Sequence, residues 1–216
     1  MKRFISTAVS LLALVVPLAL SAQEKPVDFS DNFEVRRLNF SKFTILNDDQ
    51  SLVNMGTRGL TIISTGASPA DCNYVSYTPG CDNWEAETDI LLFPTSKGGL
   101  VLKTDNGDWW GITANYKHIE AISAEGSIST VANGYGRYMH LMIECIDGTL
   151  TLYSAPQKTP WRVVANGNPG VERKPADKWM RIASVKLPAG AKPEIICMMA
   201  MDNDIVSFRD FWFRVR

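Results

Sequence analysis

The sequence has few of the residues on which metal, nucleophilic and nucleic-acid chemistry depend. Its 216 residues include only two histidines and four cysteines, and no Cys-x-x-Cys pair, which argues against a zinc site. No Gly-x-Ser-x-Gly elbow is present, so a hydrolase of that type is a poor candidate. The 22 basic and 23 acidic residues form no basic stripe. Nucleic acid and anionic lipid are therefore poor candidates as partners.

Long hydrophobic runs are also absent, apart from one near the start. Lys2 and Arg3 precede an apolar run over residues 8–20 that Pro17 interrupts, and Ser21 and Ala22 follow it. A charged start, a short apolar run and small residues at its end are typical of a secretory signal peptide. We therefore expect residues 1–22 to be removed, with no membrane insertion afterwards and a periplasmic or extracellular location. Residues 23–28 are then a short lead-in to a single domain over residues 29–216.

No segment shows a sustained helical period with end caps, and no repeat of fixed length occurs. The chain instead carries short segments in which apolar and polar residues alternate. In residues 84–93, Trp84, Ala86 and Ile90 alternate with acidic residues, as in a strand with one buried face. Asp147-Gly148 between two such runs indicates a tight hairpin. About a dozen short strands predict an all-β fold, a two-sheet antiparallel jelly-roll sandwich.

Four segments, in order along the chain, resemble motifs of one known group of proteins. They are the opening Ser-Asp-Asn-Phe at residues 30–33, the strand pair at 84–102, the Tyr-Ser hairpin reaching Trp161, and the closing Phe-Arg-Asp-Phe at 208–211. Together they resemble concanavalin A-like β-sandwiches, in particular the C-terminal module of glycoside hydrolase family 43 xylosidases. The hairpin lacks the usual Asp-Gly, and Arg209 replaces an acidic residue. The catalytic domain of that family has no counterpart here, so the resemblance does not imply its hydrolase activity.

Glu85, Glu87 and Asp89 are the first candidate site residues. At alternate positions of one strand, they project from one face. Sandwich glycosidases can place a nucleophile and an acid on such positions, and retaining enzymes need the two carboxyls close together. The spacing matches the Glu-x-Asp-x-x-Glu strand of concanavalin-like glucanases only loosely. The default expectation is a solvated outer face, and catalysis is the alternative.

Exposed aromatic rings are the second candidates, because sugars stack their C–H faces on them. Trp110 shares a face with Ile112 and is expected in the core, which turns Trp109 outward beside a loop. The candidate rings are those of Trp109, Trp110, Tyr116, Tyr135, Tyr138, Trp161, Trp179 and Trp212. Of these, we predict Trp109, Tyr116 and Trp161 as ligand-binding residues. The alternative for each tryptophan is packing in the core.

Cysteines, histidines and acidic residues near the chain ends give further expectations. We predict a Cys72–Cys81 disulfide that closes a loop. Cys145 and Cys197 are either buried small residues or a second bond. No cofactor is required. The resemblance implies a structural calcium where the first and last strands meet, with Asp31 and Asp210 as ligands, although Arg209 opposes it. His118 and His140 are isolated in sequence, and His140 is expected to be a packed strand residue.

These patterns favour an exported, non-catalytic domain that binds polysaccharide or oligosaccharide. A glycoside hydrolase using Glu85, Glu87 or Asp89 is one alternative. A protein-interaction domain without a glycan site is the other. The position of Trp109 relative to the three acids distinguishes them, because a shared groove favours binding or catalysis.

Overall fold

A computed structural model shows two antiparallel sheets packed face to face. It describes residues 26–34, 37–46, 52–56, 58–64, 66–72, 74–157, 178–202 and 204–216. These residues contain fifteen strands and no α-helix, so the all-β prediction is confirmed. In chain order the strands are β1 (Phe29–Asp31), β2 (Phe43–Leu46), β3 (Val53–Gly56), β4 (Gly59–Ile63), β5 (Tyr74–Tyr77), β6 (Trp84–Leu92), β7 (Lys97–Thr104), β8 (Trp109–Ala114), β9 (His118–Ser123), β10 (Gly126–Ala132), β11 (Tyr138–Ile146), β12 (Thr149–Pro156), β13 (Met180–Lys186), β14 (Pro193–Met201) and β15 (Ile205–Val215).

The strands divide into two sheets that we call sheet I and sheet II. Sheet I has the order β13-β12-β11-β6-β15-β4-β3, with β1 also paired to β15. Sheet II has the order β10-β9-β8-β7-β14-β5-β2. Sequence neighbours often lie in different sheets, as β6 and β7 do. This arrangement is the predicted jelly-roll sandwich.

Every second side chain of the central strands fills the space between the sheets. Trp84, Ala86 and Ile90 of β6 belong to this core, as do Phe211 and Phe213 of β15. These positions alternate with side chains on the outer face of sheet I, because successive residues of a strand point to opposite sides. The core therefore determines which residues of β6 and β15 can form a site on the outer face.

Two local features shape sheet I. Asp147 and Gly148 both have positive φ, of 50° and 70°, and join β11 to β12 as the predicted tight hairpin. In β15 the register shifts between Phe208 and Phe211, so that Arg209 and Asp210 lie opposite a single residue of β6, Asp89. Such bulges re-aim side chains and occur often beside functional sites.

The predicted Cys72–Cys81 disulfide is wrong, since all four cysteines are free thiols. Cys72 packs in an apolar cluster on the outer face of sheet II, whereas Cys81 packs against the core between the sheets. The two side chains therefore lie in different layers. Cys145 and Cys197 are fully buried in the core and in the outer cluster respectively, which matches their reading as small apolar residues.

Some predicted features lie outside the described residues, namely the signal peptide at residues 1–22 and Trp161 with its strand. Within the described part of the chain, no helix has the length and apolar character needed to cross a membrane.

Candidate functional site

Glu85, Glu87 and Asp89, which we call the acid row, all lie on the outer face of sheet I. They share that face as predicted, because they alternate with core residues of β6. The expectation of a solvated face is wrong, however: the three residues are only 4%, 0% and 1% exposed. Buried carboxylates require compensating partners, and the neighbouring strands supply them.

The strand register places a specific neighbour beside each member of the acid row. On β11, His140 lies opposite Asp89 and Met142 lies opposite Glu87. On β15, Trp212 lies opposite Glu87 and Arg214 lies opposite Glu85. The pairing of β6 with both strands thus places cations and an aromatic ring beside the carboxylates. These partners are distant from the acid row in sequence.

His140 is nearly as buried as the carboxylates beside it, at 2% exposed. Its Nδ1 lies 2.7 Å from Asp89 Oδ1 and 3.0 Å from Glu87 Oε1. Both distances lie within the range of hydrogen-bonded contacts between an imidazole nitrogen and a carboxylate oxygen. Gln157 completes the surroundings, since its Nε2 donates to Asp89 Oδ2 at 2.9 Å.

Two opposing effects determine the charge of His140. Burial alone lowers its pKa, because desolvation disfavours the charged imidazolium. Asp89 and Glu87 raise that pKa by a larger amount through their contacts and charges, and the net value is about 9. His140 is therefore a cation at neutral pH, held between two carboxylates.

Glu85 pairs with two arginines at the end of β15. Arg214 Nη1 contacts Glu85 Oε1, and Arg216 Nη2 contacts Glu85 Oε2. Arg216 Nε also donates to Oε2 at 2.9 Å. The second Arg214 nitrogen lies 3.6 Å from Glu87 Oε2, which links this pair to the His140 group. Each member of the acid row thus contacts at least one cation.

A groove of about 430 Å³ opens over these charged residues. Its volume falls within the roughly 300–1,000 Å³ typical of small-molecule sites. Tyr153 and Trp179 form one side, with ring centroids 6.4 Å apart in an edge-to-face arrangement, and the Tyr153 hydroxyl donates to Glu144 Oε2 at 3.3 Å. The complete lining is Glu85, Glu87, Met142, Glu144, Tyr153, Trp179, Arg214 and Arg216.

A smaller pocket of about 190 Å³ adjoins the groove at Arg214, which lines both. Trp212 and Ser30 also line it, and Asp28 lies at its edge, where its Oδ1 accepts the backbone N–H of Val215 at 2.9 Å. Trp212 additionally covers His140, with ring centroids 6.2 Å apart. Trp179 lies at the same distance from the His140 ring. The two tryptophans thus lie beside the buried charges and also line the open cavities.

Two of the three aromatic residues predicted as ligand contacts lie elsewhere. Trp109 packs on the outer face of sheet II, edge-to-face with Tyr74 at 5.7 Å, with Lys103 Nζ at 5.9 Å from its ring centroid. Trp109 and the acid row are thus on opposite sides of the sandwich and share no groove. Tyr116 is 44% exposed between β8 and β9 and lines neither cavity. Trp161 lies outside the described residues. Trp110 packs against the core, as predicted.

The two predicted calcium ligands do not form a cluster with other acidic side chains. Asp31 Oδ1 accepts the backbone N–H of Phe33 at 2.8 Å, and burial raises the pKa of Asp31. Asp210 is 3% exposed and lies in the β15 bulge. Among the described residues no group of three or more His, Cys, Asp or Glu side chains could hold a metal. The calcium prediction therefore gains no support from the geometry.

Sequence reasoning missed His140, Tyr153 and Arg214 as site residues, and it named Trp179 and Trp212 only among the candidate rings. The hairpin signal at Asp147-Gly148 could have identified two of them. It fixes the pairing of β11 with β12 and so places Tyr153 opposite Met142, two positions along β11 from His140 on the same face. The pairing of β6 with β11 and β15 had no comparable signal, because those strands are distant in sequence.

Comparisons with known proteins agree with the architecture. No family model matches the chain, and no curated protein matches it. Among solved structures, the Bacteroides ovatus protein described as xyloglucan PUL GH43B matches with a TM-score of 0.66 and 15% identity, over 89% of this chain and 40% of that one. The fold is a concanavalin A-like β-sandwich. The family 43 protein BlXynB of Bacillus licheniformis matches with a TM-score of 0.65 and 11% identity, over 87% and 39%.

A third match has a different extent. The Bacillus licheniformis β-glucanase has a TM-score of 0.60 and 10% identity, over 89% of this chain and 100% of its own. The sandwich thus spans less than half of the two family 43 proteins but the whole of the glucanase. The resemblance to family 43 modules that the motifs predicted is confirmed at the level of the fold.

Proposed function

We propose that this chain is an exported, non-catalytic module that binds polysaccharide or oligosaccharide in the groove of sheet I. The observation that carries the proposal is the groove itself, with aromatic rings at its side and charged hydrogen-bonding groups on its floor. Sugars need both features, because their C–H faces stack on rings and their hydroxyls need polar partners. The names of the structural neighbours, which refer to xyloglucan, xylosidase and β-glucanase, support the same ligand class.

The state of the acid row favours binding over catalysis. A retaining glycosidase needs one carboxyl to donate a proton and another, about 5 Å away, to act as nucleophile. Here Glu85 contacts two arginines, and Glu87 and Asp89 share His140. Each carboxylate is thus paired with a cation. A cation favours the ionised form of a carboxyl, and the ionised form has no proton to donate.

A glycan array with the exported protein tests the proposal. We expect binding to a plant-type polysaccharide, and we expect Tyr153→Ala and Trp179→Ala to weaken it about tenfold each, near the upper range for one aromatic contact. Tyr116→Ala is the matched control, because Tyr116 is exposed and lines neither cavity. If no arrayed glycan binds, or if Tyr116→Ala loses as much affinity as the groove variants, the proposal is contradicted. The hypothesis of a protein-interaction domain would then remain.

A glycoside hydrolase is the second candidate, because the acid row lies at a groove on a fold that a β-glucanase shares. If the chain is a hydrolase, it should produce new reducing ends from xylan or β-glucan, and Glu87→Gln should abolish this activity. Unchanged release by Glu85→Gln, Glu87→Gln and Asp89→Asn would remove the acid row from any catalytic role. We expect no release above background from the unaltered protein.

Export and domain organisation are part of the same proposal. Residues 1–22 act as a signal peptide, and residues 29–216 fold as one domain that requires no cofactor. Intact mass spectrometry of the protein secreted by a bacterial host tests the first statement. We expect a mature chain that begins at Gln23, whereas an unprocessed chain in the membrane fraction would contradict it.

A further inference from the structure

We infer that the ligand is a linear oligosaccharide that lies across the strands of sheet I and occupies both the groove and the pocket beside Trp212. This inference rests on the proposed function and makes it more specific, because it assigns a second subsite and excludes a single sugar as the preferred ligand. The two cavities meet at Arg214, which lines both.

The strand register shows how far this surface extends. Tyr153, Met142, Glu87, Trp212 and Ser30 lie in one row, each opposite the next on neighbouring strands of sheet I. The row crosses β12, β11, β6, β15 and β1. Adjacent strands are about 4.8 Å apart, so the row is about 19 Å long. A ligand that contacts both ends of the row must be an extended chain.

The chemistry along the row has the order aromatic, charged, aromatic. Tyr153 and Trp179 lie at one end of the groove. Glu85 and Glu87 of the acid row line its middle with Arg214 and Arg216, and Trp212 lines the pocket at the far end. Trp179 and Trp212 each lie 6.2 Å from the His140 ring, so at most about 12 Å separates their centroids. Tyr153 and Trp212 lie three strand spacings apart in the row, about 14 Å. Their rings can therefore stack on different sugars of one chain, while the charged residues between them accept and donate hydroxyl hydrogen bonds.

Arg214 and Ser30 make the second pocket suitable for a sugar rather than for an apolar group. Ser30 is exposed and presents a hydroxyl at the pocket, and the Arg214 side chain is 28% exposed where the two cavities meet. Trp212 is half-buried and paired to Ser30 in register, so its ring is held beside these polar groups. The pocket thus combines an aromatic ring with neighbouring hydrogen-bond donors, as the groove does.

A length series tests the inference. Calorimetry would measure the binding of xylo-, xyloglucan and β-glucan oligosaccharides from disaccharide to hexasaccharide. For the series that binds, we expect the dissociation constant to fall about tenfold when the chain becomes long enough to reach the second pocket. Trp212→Ala should abolish this gain while leaving the dissociation constant of the shorter oligosaccharides within about twofold.

Two further variants keep the test decisive if Trp212→Ala does not fold. Trp212→Phe retains a ring and should retain most of the gain. Ser30→Arg fills the pocket from the edge strand and should remove the gain for long chains alone. Tyr116→Ala is the control that should behave as the unaltered protein at every length.

The outcomes separate the inference from the proposed function. Affinity independent of length, or an equal loss at every length in Trp212→Ala and Ser30→Arg, would overturn the two-subsite ligand and leave glycan binding intact. An absence of binding at all lengths in all three series, and on the glycan array, would overturn both. Growth in affinity with length that Ser30→Arg and Trp212→Ala remove would support the inference.

Discussion

The outer face of each sheet carries a layer of buried side chains, and the two layers differ in chemistry. On sheet II the buried cluster is apolar and consists of Cys72, Tyr74, Val101, Ile122, Cys197, Met199 and Met201. On sheet I the corresponding layer holds the acid row, His140, Arg209 and Asp210, each less than 5% exposed. The same strand alternation, applied to two sheets of one sandwich, has produced one hydrophobic layer and one charged layer.

The difference indicates where function lies. Burial of apolar side chains stabilises a fold by about 25 cal/mol per Å² of surface, so the layer on sheet II needs no explanation beyond stability. Burial of paired charges is often no better for stability than an apolar replacement of similar volume. A charged layer beneath two adjoining cavities is therefore better explained by binding than by packing, which supports the proposal of a site on sheet I.

Replacement of His140 should strongly destabilise the charged layer of sheet I. In His140→Ala, Glu87 and Asp89 lose the cation that lies within 3.0 Å of both. Loss of one partner from a buried ion pair destabilises by about 3–5 kcal/mol, because a buried charge loses its compensation. Chemical denaturation at pH 7, followed by circular dichroism, measures the change in the free energy of unfolding.

The matched control lies on the opposite face. Met199→Leu conserves volume in the apolar layer and should lower the free energy of unfolding by less than about 1.5 kcal/mol. If the two variants lose the same stability, the charged layer does not depend on His140 and the contrast between the faces fails.

The pH dependence of stability should follow the same group with a slightly smaller effect. The pKa of His140 is raised in the folded protein from 6.5 to about 9, so its contribution is complete below pH 6.5 and is lost as the pH rises through 9. That change corresponds to about 3 kcal/mol. Urea unfolding of the unaltered protein should therefore show stability that falls between pH 6.5 and pH 9.

His140→Gln provides the reference for this experiment, because glutamine does not titrate in that range. The difference in stability between the two proteins should narrow as the pH rises. A constant difference would show that the pKa of His140 is not raised in the folded protein. A widening difference would give the wrong sign and would contradict the ion-pair description.

Alternation and turn chemistry made most of the fold predictable. The 84–93 strand and the Asp147-Gly148 hairpin were expected from their residues, and the structure contains both. Strands β2 and β10 were not expected. They lie at the edges of sheet II, and the exposed, Ser-containing β10 shows little hydrophobic alternation because only part of one face is covered.

The site was predictable only in part, for a different reason. The acid row was found from one strand, since its residues share a face by spacing alone. Its partners, His140 and Arg214, lie on β11 and β15, far away in sequence. A pairing between distant strands leaves no local pattern, so the burial of the acid row and the contact of His140 with it could not be predicted. The sequence predicted that the Trp109 side chain faces outward, and it does. Nothing in its own strand indicated which of the two sheets that strand belongs to.

The smallest expected effect sharpens the comparison inside sheet I, between the two cations that contact Glu85. The side chains of Arg214 and Arg216 are 28% and 49% exposed, so solvent screens both pairs more than it screens His140. Arg216→Ala should lower the free energy of unfolding by about 0.2–1 kcal/mol, because Arg214 still contacts Glu85 and exposed ion pairs contribute little. Denaturation in low and high salt measures this, and the loss should shrink at high salt. A loss as large as that of His140→Ala would mean that the arginine end of the groove is as strongly coupled to the fold as its histidine end. In that case both ends of the groove floor would contribute equally to stability, and the arginine end would not be the more weakly held of the two.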